Sequence, residues 1–246
     1  MIRTSPKLLV SVVSPTETLA ALEGEADIID LKNPLEGALG APSPEIIAQV
    51  AAELKGKKPF SIALGEFPRT PSAAALAALG SALFKPGYLK IAFIPDSLGQ
   101  EIIKTLGLIK KSLNYSPNKT QTSIVSVVYA DLLKDASWNL SEFISFTQVS
   151  GAEGCLIDTW EKNGRSLLEY LDGEVLTQFV DNCHKNGLFC GLAGSLKEVD
   201  IFSICKLKPD IIGVRSVVCQ GDRINGRLSA QKVKEIKEVI DRGVIN

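Results

Sequence analysis

Residues 28–34 read Ile28-Ile29-Asp30-Leu31-Lys32-Asn33-Pro34, a short apolar strand that ends in two charged residues and is stopped by a proline. Side chains two residues apart in a strand point to the same face, so Asp30 and Lys32 point the same way. A buried charge costs free energy unless it is paired or used. The stretch therefore predicts either a buried ion pair or a reactive site at the end of a strand.

The strand-and-helix unit that contains this stretch recurs along the chain. Short apolar runs alternate with helix-forming segments eight times in 246 residues. This alternation is typical of a (β/α)₈ barrel. We therefore expect an α/β fold, a single TIM-barrel domain over residues 1–246, with an open doubly wound sheet as the alternative. The expected strands are 7–13, 28–32, 60–64, 88–93, 123–129, 154–158, 188–193 and 210–215.

The helix starts carry their own signals. Ser14 and Ser43 each precede a proline and are expected N-caps, with Glu17 at the capping-box position of the first helix. Ser195 is expected to open the seventh helix in the same way. The expected helices run over 15–24, 44–55, 71–83, 97–113, from 139 or 141 to 151, 172–185, 195–206 and 230–242.

Composition limits the classes of partner. The chain is 45% hydrophobic and 22% charged, with a formal net charge of -1, which gives no long-range field for nucleic acid or an anionic membrane. We find neither a secretory signal pattern nor ~18 consecutive apolar residues, so we expect a cytoplasmic protein with a small-molecule partner. Apolar residues on outer helix faces are expected to mark a homo-oligomer, although periodicity does not separate an interface from core.

Metal and disulfide chemistry are not expected. The five cysteines form no CxxC pair and their number is odd, which favours small buried residues in a reducing compartment. The only histidine, His184, falls at the predicted end of a helix, where a cation suits the helix dipole. With one histidine and scattered acids, we expect neither a transition-metal site nor a catalytic histidine.

In such barrels the active site lies at the C-terminal ends of the strands. Three lysines and two aspartates are expected to meet there, which is more charge than surface statistics predict. This set suits carbonyl chemistry, in which one lysine forms an iminium that acts as an electron sink and other groups move protons. The polar residues expected at this end are Asp30, Lys32, Glu66, Lys90, Asp158, Lys162 and Arg215.

Lys90 lies inside the fourth strand, on the same face as Tyr88 and Ala92. One interpretation is a buried ion pair with an interior carboxylate such as Asp30 or Asp158. The other is an amine whose pKa is lowered by burial and a neighbouring cation, so that it can attack a carbonyl or accept a proton near pH 7. Both interpretations apply to Lys32 as well.

A phosphate site is expected at the ends of strands seven and eight, its usual place in barrels. Residues 192–196 combine a strand end, Gly194 and Ser195, and free N–H groups at a helix start bind phosphate. Gly213 and Arg215 on the eighth strand would complete the site. Ser195 as a simple N-cap is the alternative.

Several segments together resemble the (5-formylfuran-3-yl)methyl phosphate synthases, which act first in methanofuran biosynthesis. Each segment is weak alone, but their order and spacing over nearly the whole chain are specific. The segments are 30–41, Gly65-Glu66-Phe67-Pro68, Tyr88-Leu89-Lys90, Asp158-Thr159 with Lys162 and Gly164, Leu192-Ala193-Gly194-Ser195-Leu196, Gly213-Val214-Arg215, Gly221-Asp222-Arg223 and Gly226-Arg227.

The resemblance implies a barrel like that of class I aldolases, which joins two molecules of glyceraldehyde 3-phosphate into a phosphorylated furan aldehyde, with no metal or cofactor. By motif, Lys32 matches the Schiff-base lysine and Lys90 the lysine that accepts a proton. Asp30, Asp158 and Lys162 match the other active-site residues.

The chain departs from the family pattern at Trp160-Glu161 and in residues 92–95, which leaves the second substrate open. Two alternatives to this synthase also stay open: another Schiff-base aldolase acting on a sugar phosphate, and a non-catalytic barrel that binds phosphorylated metabolites.

Overall fold

Eight parallel strands close into a barrel, in chain order, in the computed structural model, which describes residues 5–67, 70–118 and 121–243. The barrel closes because β1 pairs with both β2 and β8, so the TIM-barrel prediction is confirmed. Pro68 of the Gly65–Pro68 motif lies outside the described residues. The strands are β1 (Lys7–Val12), β2 (Ile28–Leu31), β3 (Phe60–Glu66), β4 (Tyr88–Phe93), β5 (Ser123–Tyr129), β6 (Gly154–Asp158), β7 (Phe189–Leu192) and β8 (Ile211–Val214).

A helix follows each strand. The predicted caps at Ser14 and Ser43 are confirmed, since their hydroxyls accept the N–H groups of Glu17 and Ile46. Beyond β8, Cys219–Gln220 and Arg227–Leu228 pair as a small antiparallel ribbon. The helices are α1 (Pro15–Glu23), α2 (Pro44–Leu54), α3 (Pro71–Ala82), α4 (Gly99–Leu113), α5 (Leu140–Ser150), α6 (Gly173–Lys185), α7 (Glu198–Lys206) and α8 (Ala230–Arg242).

The prediction that Ser195 opens the seventh helix is wrong. α7 begins at Glu198, with Lys197 as its N-cap residue. The carboxylate of Asp200 accepts the backbone N–H of Lys197 at 2.8 Å, which fixes the first turn there. Ser195 instead has φ +47, a left-handed conformation that is costly for a residue with a Cβ.

The strands bury both of their faces. In β4, Leu89, Ile91 and Phe93 pack outward against the helix layer, whereas Ala92 packs inside the barrel. Lys90 alternates with these outward residues and is 3% exposed, which confirms the predicted face. A charged side chain therefore lies inside the barrel.

Two sequence expectations outside the barrel interior can be compared with the structure. All five cysteines are free and buried, as small core residues. His184 lies in the last turn of α6 and pairs with Asp210 at 2.8 Å, near the start of β8 and away from the C-terminal ends of the strands.

In the part of the chain that the structure describes, every helix is too short or too polar to cross a membrane.

A buried ion pair ties the first and last strands together. The Arg215 guanidinium donates to both carboxylate oxygens of Glu17, at 2.8 and 3.2 Å, and to the carbonyl of Ser11 at 2.9 Å. The Glu17 carboxylate also accepts the N–H of Val13 at 2.9 Å. It therefore bonds Val13 and Arg215 instead of closing a capping box on Ser14.

We predict that Glu17→Ala lowers the free energy of unfolding by about 3 kcal/mol, because it leaves the Arg215 charge buried without its partner. Urea denaturation of the two proteins measures the difference. Glu238→Ala is the matched control, since it removes the exposed helical pair with Arg242 and is expected to cost less than about 0.5 kcal/mol. Equal losses in the two variants would contradict a structural role for the Glu17–Arg215 pair.

Candidate active site

The five predicted catalytic residues meet at the C-terminal end of the barrel. Alternate strands carry them: β2 carries Asp30 and is followed directly by Lys32, β4 carries Lys90, and β6 ends in Asp158 with Lys162 four residues on. Four of the five are at most 5% exposed, and the side chain of Lys162 is 14% exposed. Asp30 and Asp158, 128 positions apart in the sequence, thus meet at one end of the barrel, because closure of the barrel brings even-numbered strands into the same layer. Lys32, Lys90, Asp158 and Lys162 line one cleft there.

The first ion pair lies deepest. Lys90 Nζ donates to Asp30 Oδ2 at 2.7 Å, and the Ser11 hydroxyl donates to the same oxygen at 2.8 Å. Burial alone would raise the pKa of Asp30, but the Lys90 and Lys32 ammonium groups outweigh it and hold that pKa below its usual value. The structure therefore places Lys90 in the buried ion pair that was one of its two interpretations.

Asp30 keeps one oxygen free. Its Oδ1 has no hydrogen-bond partner in the described residues, and neither has the buried hydroxyl of Ser61, the β3 residue in register with it. Buried polar atoms are normally bonded. The Asp30–Lys90 pair therefore retains an acceptor inside the barrel.

The second carboxylate is shared by two lysines. Asp158 accepts Lys162 Nζ at 2.7 Å and the N–H of Thr159 at 2.7 Å, whereas Lys32 Nζ lies 3.9 Å away. Burial would raise the pKa of Asp158, but the charges of Lys162 and Lys32 lower it well below its usual range. Lys162, not Lys32, thus holds the closer contact with this carboxylate.

Lys32 is left with the weakest pairing of the three lysines. The pKa of its amine is lowered from 10.5 to about 7, with burial as the largest cause. The charges of Lys162 and Lys90 also lower this pKa, whereas those of Asp158 and Asp30 raise it. A large fraction of the Lys32 amine is therefore neutral near pH 7. A neutral, buried amine beside proton donors can attack a carbonyl carbon.

The loop after β7 lines the other wall of the cleft and leaves several backbone N–H groups without acceptors among the described residues. Those of Gly194, Ser195 and Leu196 donate to no other atom in the part of the chain described. The loop runs close to β6, since a Cβ on Gly194 would lie 2.9 Å from the Thr159 methyl carbon. Gly213 also lines the cleft, and its lack of a side chain lets β8 approach Ala193.

Arg215 does not match the simple expectation of a free phosphate-binding cation. Besides Glu17 and Ser11, its Nε donates to the carbonyl of Arg223 at 2.8 Å. Four of the five N–H donors that a guanidinium offers are thus taken. The Arg223 side chain also lines the cleft and has no ion pair among the described residues.

Comparison with known proteins shows which family the chain belongs to. The profile of a family described as 4-HFC-P synthase matches residues 8–237. The chain belongs to the 4-HFC-P synthase family. It is similar to proteins named (5-formylfuran-3-yl)methyl phosphate synthase, so the expectation of an enzyme is confirmed. One, from Methanosarcina mazei, is 38% identical over 88% of this chain and 92% of its own length. Another, from Archaeoglobus fulgidus, is 34% identical over 95% of this chain and 99% of its own length.

Solved structures share the barrel at low sequence identity. Thiamine phosphate pyrophosphorylase from Pyrococcus furiosus has a TM-score of 0.62 at 15% identity, over 96% of both chains. Phosphoribosyl anthranilate isomerase from Thermus thermophilus has a TM-score of 0.63 at 11% identity, over 96% of this chain and 98% of that one. At this identity the likeness concerns the fold alone.

Sequence reasoning missed several residues around the site of this family member. Ser11 bonds Asp30, Thr159 bonds Lys162, and Tyr129 ends β5 beside Asp158. Alternation along β1 could have indicated Ser11, because it lies two residues after the inward-facing Leu9. The capping-box pattern pointed to Glu17, but no local pattern indicated its pairing with Arg215, 198 residues away.

We predict that reductive methylation of Lys32 by formaldehyde and cyanoborohydride rises with pH and levels off just above pH 7, because only the neutral amine reacts and its pKa is about 7. Peptide mass spectrometry of Lys32 measures the rate. The methylation rate of exposed lysines in the same sample is expected to rise without levelling off below pH 9, because a lysine in a model peptide titrates at about pH 10.4. Asp158→Asn should move the Lys32 midpoint downward, because it removes a charge that raises the pKa. A wild-type midpoint above pH 9 would contradict the account.

Proposed function

We propose that the chain condenses two molecules of glyceraldehyde 3-phosphate into (5-formylfuran-3-yl)methyl phosphate, the 4-(hydroxymethyl)-2-furancarboxaldehyde phosphate of methanofuran biosynthesis. One inorganic phosphate and two waters leave. The observation that carries the proposal is the buried Lys32 amine, with a pKa of about 7, beside Asp158. Membership of the 4-HFC-P synthase family supports the choice of substrate and product.

The reaction begins at Lys32. Its neutral amine attacks the aldehyde carbon of the first substrate, and loss of water from the adduct gives an iminium. Both steps need a proton donor close to the departing oxygen. Lys162, held 2.7 Å from Asp158 and 2.6 Å from the carbonyl of Thr159, is fixed where it can supply that proton.

The iminium then acidifies the neighbouring carbon. Lys90 is the base in the proposal: it passes its own proton to Asp30, to which it is hydrogen-bonded at 2.7 Å, and the neutral amine then accepts the proton that this carbon loses. The carbon that bears the phosphate ester is β to the iminium carbon, so the resulting enamine expels inorganic phosphate and leaves an electrophilic carbon at that position.

The second substrate, deprotonated at its own C2, attacks this electrophilic carbon through C2, forms the new carbon–carbon bond and keeps its phosphate ester. The C2 oxygen of the first substrate then adds to the aldehyde of the second, loss of two waters completes the furan, and hydrolysis of the iminium releases the formyl group and Lys32.

The phosphate retained in the product is held on the opposite wall. The free N–H groups at Gly194, Ser195 and Leu196 point to this role, as in the usual phosphate site of barrels. Arg223, which lines the cleft, supplies the cation, and Gly213 leaves room between β7 and β8. Arg215 contributes mainly by holding the Arg223 carbonyl and the β1 end in place.

We predict that borohydride reduction in the presence of glyceraldehyde 3-phosphate adds the mass of the reduced substrate to Lys32. Lys32→Arg should lose both this adduct and the product, because arginine forms no iminium. Lys90→Met should keep the adduct and lose the product, because it removes the base after iminium formation. Lys234→Arg, on an exposed face of α8, is the control and should retain both.

Product analysis separates the proposal from its alternatives. A furan aldehyde absorbs in the ultraviolet where an aliphatic aldol does not. An adduct at Lys32 without furan absorbance would indicate another Schiff-base aldolase. Tight binding of the substrate with no adduct and no turnover would indicate a non-catalytic barrel, and full activity of Lys32→Arg would overturn the proposal.

A further inference from the structure

The loop between β2 and α2 folds back into the barrel. The N–H of Asn33 donates to the carbonyl of Gly40 at 2.8 Å, which closes the loop on itself. Ala38 and Leu39 are then 8% and 0% exposed. They pack with interior residues of β3 to β7, among them Ala63, Ala92, Val125, Val127, Tyr129, Leu156 and Ala193. We call residues 38–39 the plug.

The plug confines the cleft to one side of the barrel mouth. Of the residues that line the cleft, Lys90 alone comes from β3, β4 or β5. The remaining lining residues lie on β1, the end of β2 and the β6 to β8 side of the barrel. An apolar plug therefore fills one side of the mouth and leaves the polar cleft on the other. Lys32 is the residue from which the plug loop departs.

The Glu66 carboxylate holds the plug in place. Its Oε1 accepts the N–H of Leu39 at 3.0 Å and the hydroxyl proton of Tyr129. Gly37 leaves the space for this carboxylate, because a Cβ there would lie 2.8 Å from Glu66 Oε2. Gly37 also has φ +139, which a residue with a side chain rarely adopts.

Tyr129 links this clamp to the loop that carries Lys162. The Tyr129 ring packs edge-on against Trp160, with 5.3 Å between ring centroids. The backbone N–H groups of Trp160 and Glu161 are held by the Asp131 carboxylate, at 2.8 Å each. Burial raises the pKa of Tyr129 and the Glu66 charge raises it further, so the phenol stays protonated and donates to Glu66.

We propose that Glu66 and Tyr129 are positioning residues, which clamp the plug over the β3 to β5 side of the barrel and thereby keep Lys32 buried and aligned with Asp158. Neither residue lines the cleft, so they act through the plug and not on the substrate. The inference rests on the proposed function of Lys32 as the reacting amine.

The clamp has a chemical consequence at Lys32. The charged groups that face this amine are Asp158 and Lys162 from β6 and its loop, Lys90 from β4, and Asp30 on its own strand. None of them changes when the clamp is released. Burial is the largest cause of the lowered pKa of Lys32, so water that enters past a displaced plug should raise that pKa toward its ordinary value.

Three variants test the clamp. Glu66→Ala removes the acceptor for both bonds. Glu66→Gln keeps an amide oxygen that can accept from Leu39 and Tyr129, but removes the charge. Tyr129→Phe keeps the hydrogen bond between Glu66 and the Leu39 N–H and loses the hydrogen bond from the Tyr129 hydroxyl to Glu66. Leu39→Ala, which shrinks the plug and leaves the clamp intact, is a second route to the same effect if Glu66→Ala fails to fold.

The readouts are the pH midpoint of Lys32 methylation by formaldehyde and cyanoborohydride, and kcat and KM for the furan product. We expect Glu66→Ala and Leu39→Ala to raise the midpoint and to lower kcat by about tenfold or more, with KM changed less than about threefold, because misplacement of a reacting group lowers the chemical rate. The kcat of Glu66→Gln should stay within about threefold of the wild-type value, and the kcat of Tyr129→Phe should lie between those of Glu66→Gln and Glu66→Ala.

Two results would overturn the inference. One is an unchanged midpoint and kcat in folded Glu66→Ala, and the other is a Glu66→Gln variant as impaired as Glu66→Ala, since the charge and not the clamp would then matter. The methylation readout needs no natural substrate. Absence of furan product from the wild-type enzyme would therefore reject the proposed function, while the midpoints would still decide the role of the clamp.

Discussion

Three lysines share two carboxylates inside one barrel mouth, and this shortage of negative charge governs the site. Lys90 pairs with Asp30 and Lys162 pairs with Asp158, with 2.7 Å between the Nζ atom and the nearest carboxylate oxygen in each pair. Lys32 is left 3.9 Å from an acid that is already paired. Uncompensated charge is costly at such burial, so deprotonation of Lys32 is the least expensive solution. An ion-pair network that could have been only structural thus yields one amine suited to attack a carbonyl.

The fold supplies this arrangement because the acids and lysines lie on alternate strands of a closed barrel. β2, β4 and β6 contribute side chains to one interior layer, although their residues lie far apart in the chain. Arg215, which follows β8, pairs with Glu17 of α1 and donates to the Ser11 carbonyl of β1 at the same end of the barrel. Small interior residues such as Ala63 and Ala92 leave space for the plug. The rigid scaffold therefore holds several charged groups whose mutual repulsion would otherwise spread them apart.

The sequence was sufficient for features that depend on local periodicity. The i, i+2 spacing of Asp30 and Lys32, the face that Lys90 shares with Ala92 and the eight-fold repeat follow from strand geometry. Strand geometry did not decide whether that face of Lys90 points into the barrel or toward the helices. The sequence was not sufficient for features that depend on distances between strands. Which lysine loses its proton depends on the contrast between 2.7 and 3.9 Å, and the partner of Arg215 is a residue that the sequence suggested only as a helix cap. The start of the seventh helix was predicted wrongly from Ser195, because a serine before an apolar run is a common local cap signal. In the structure the Asp200 carboxylate accepts the N–H of Lys197 and fixes the start of α7 at Glu198.

The most direct test of the central claim is a neutron crystal structure of the perdeuterated enzyme at pH 8, in which the deuterons on each buried group can be counted. The account predicts two deuterons on Lys32 Nζ and none on the carboxylates of Asp30 and Asp158. Three deuterons on Lys32 Nζ, or a deuteron on either aspartate, would contradict the claim that the shortage of carboxylates is met by a neutral Lys32.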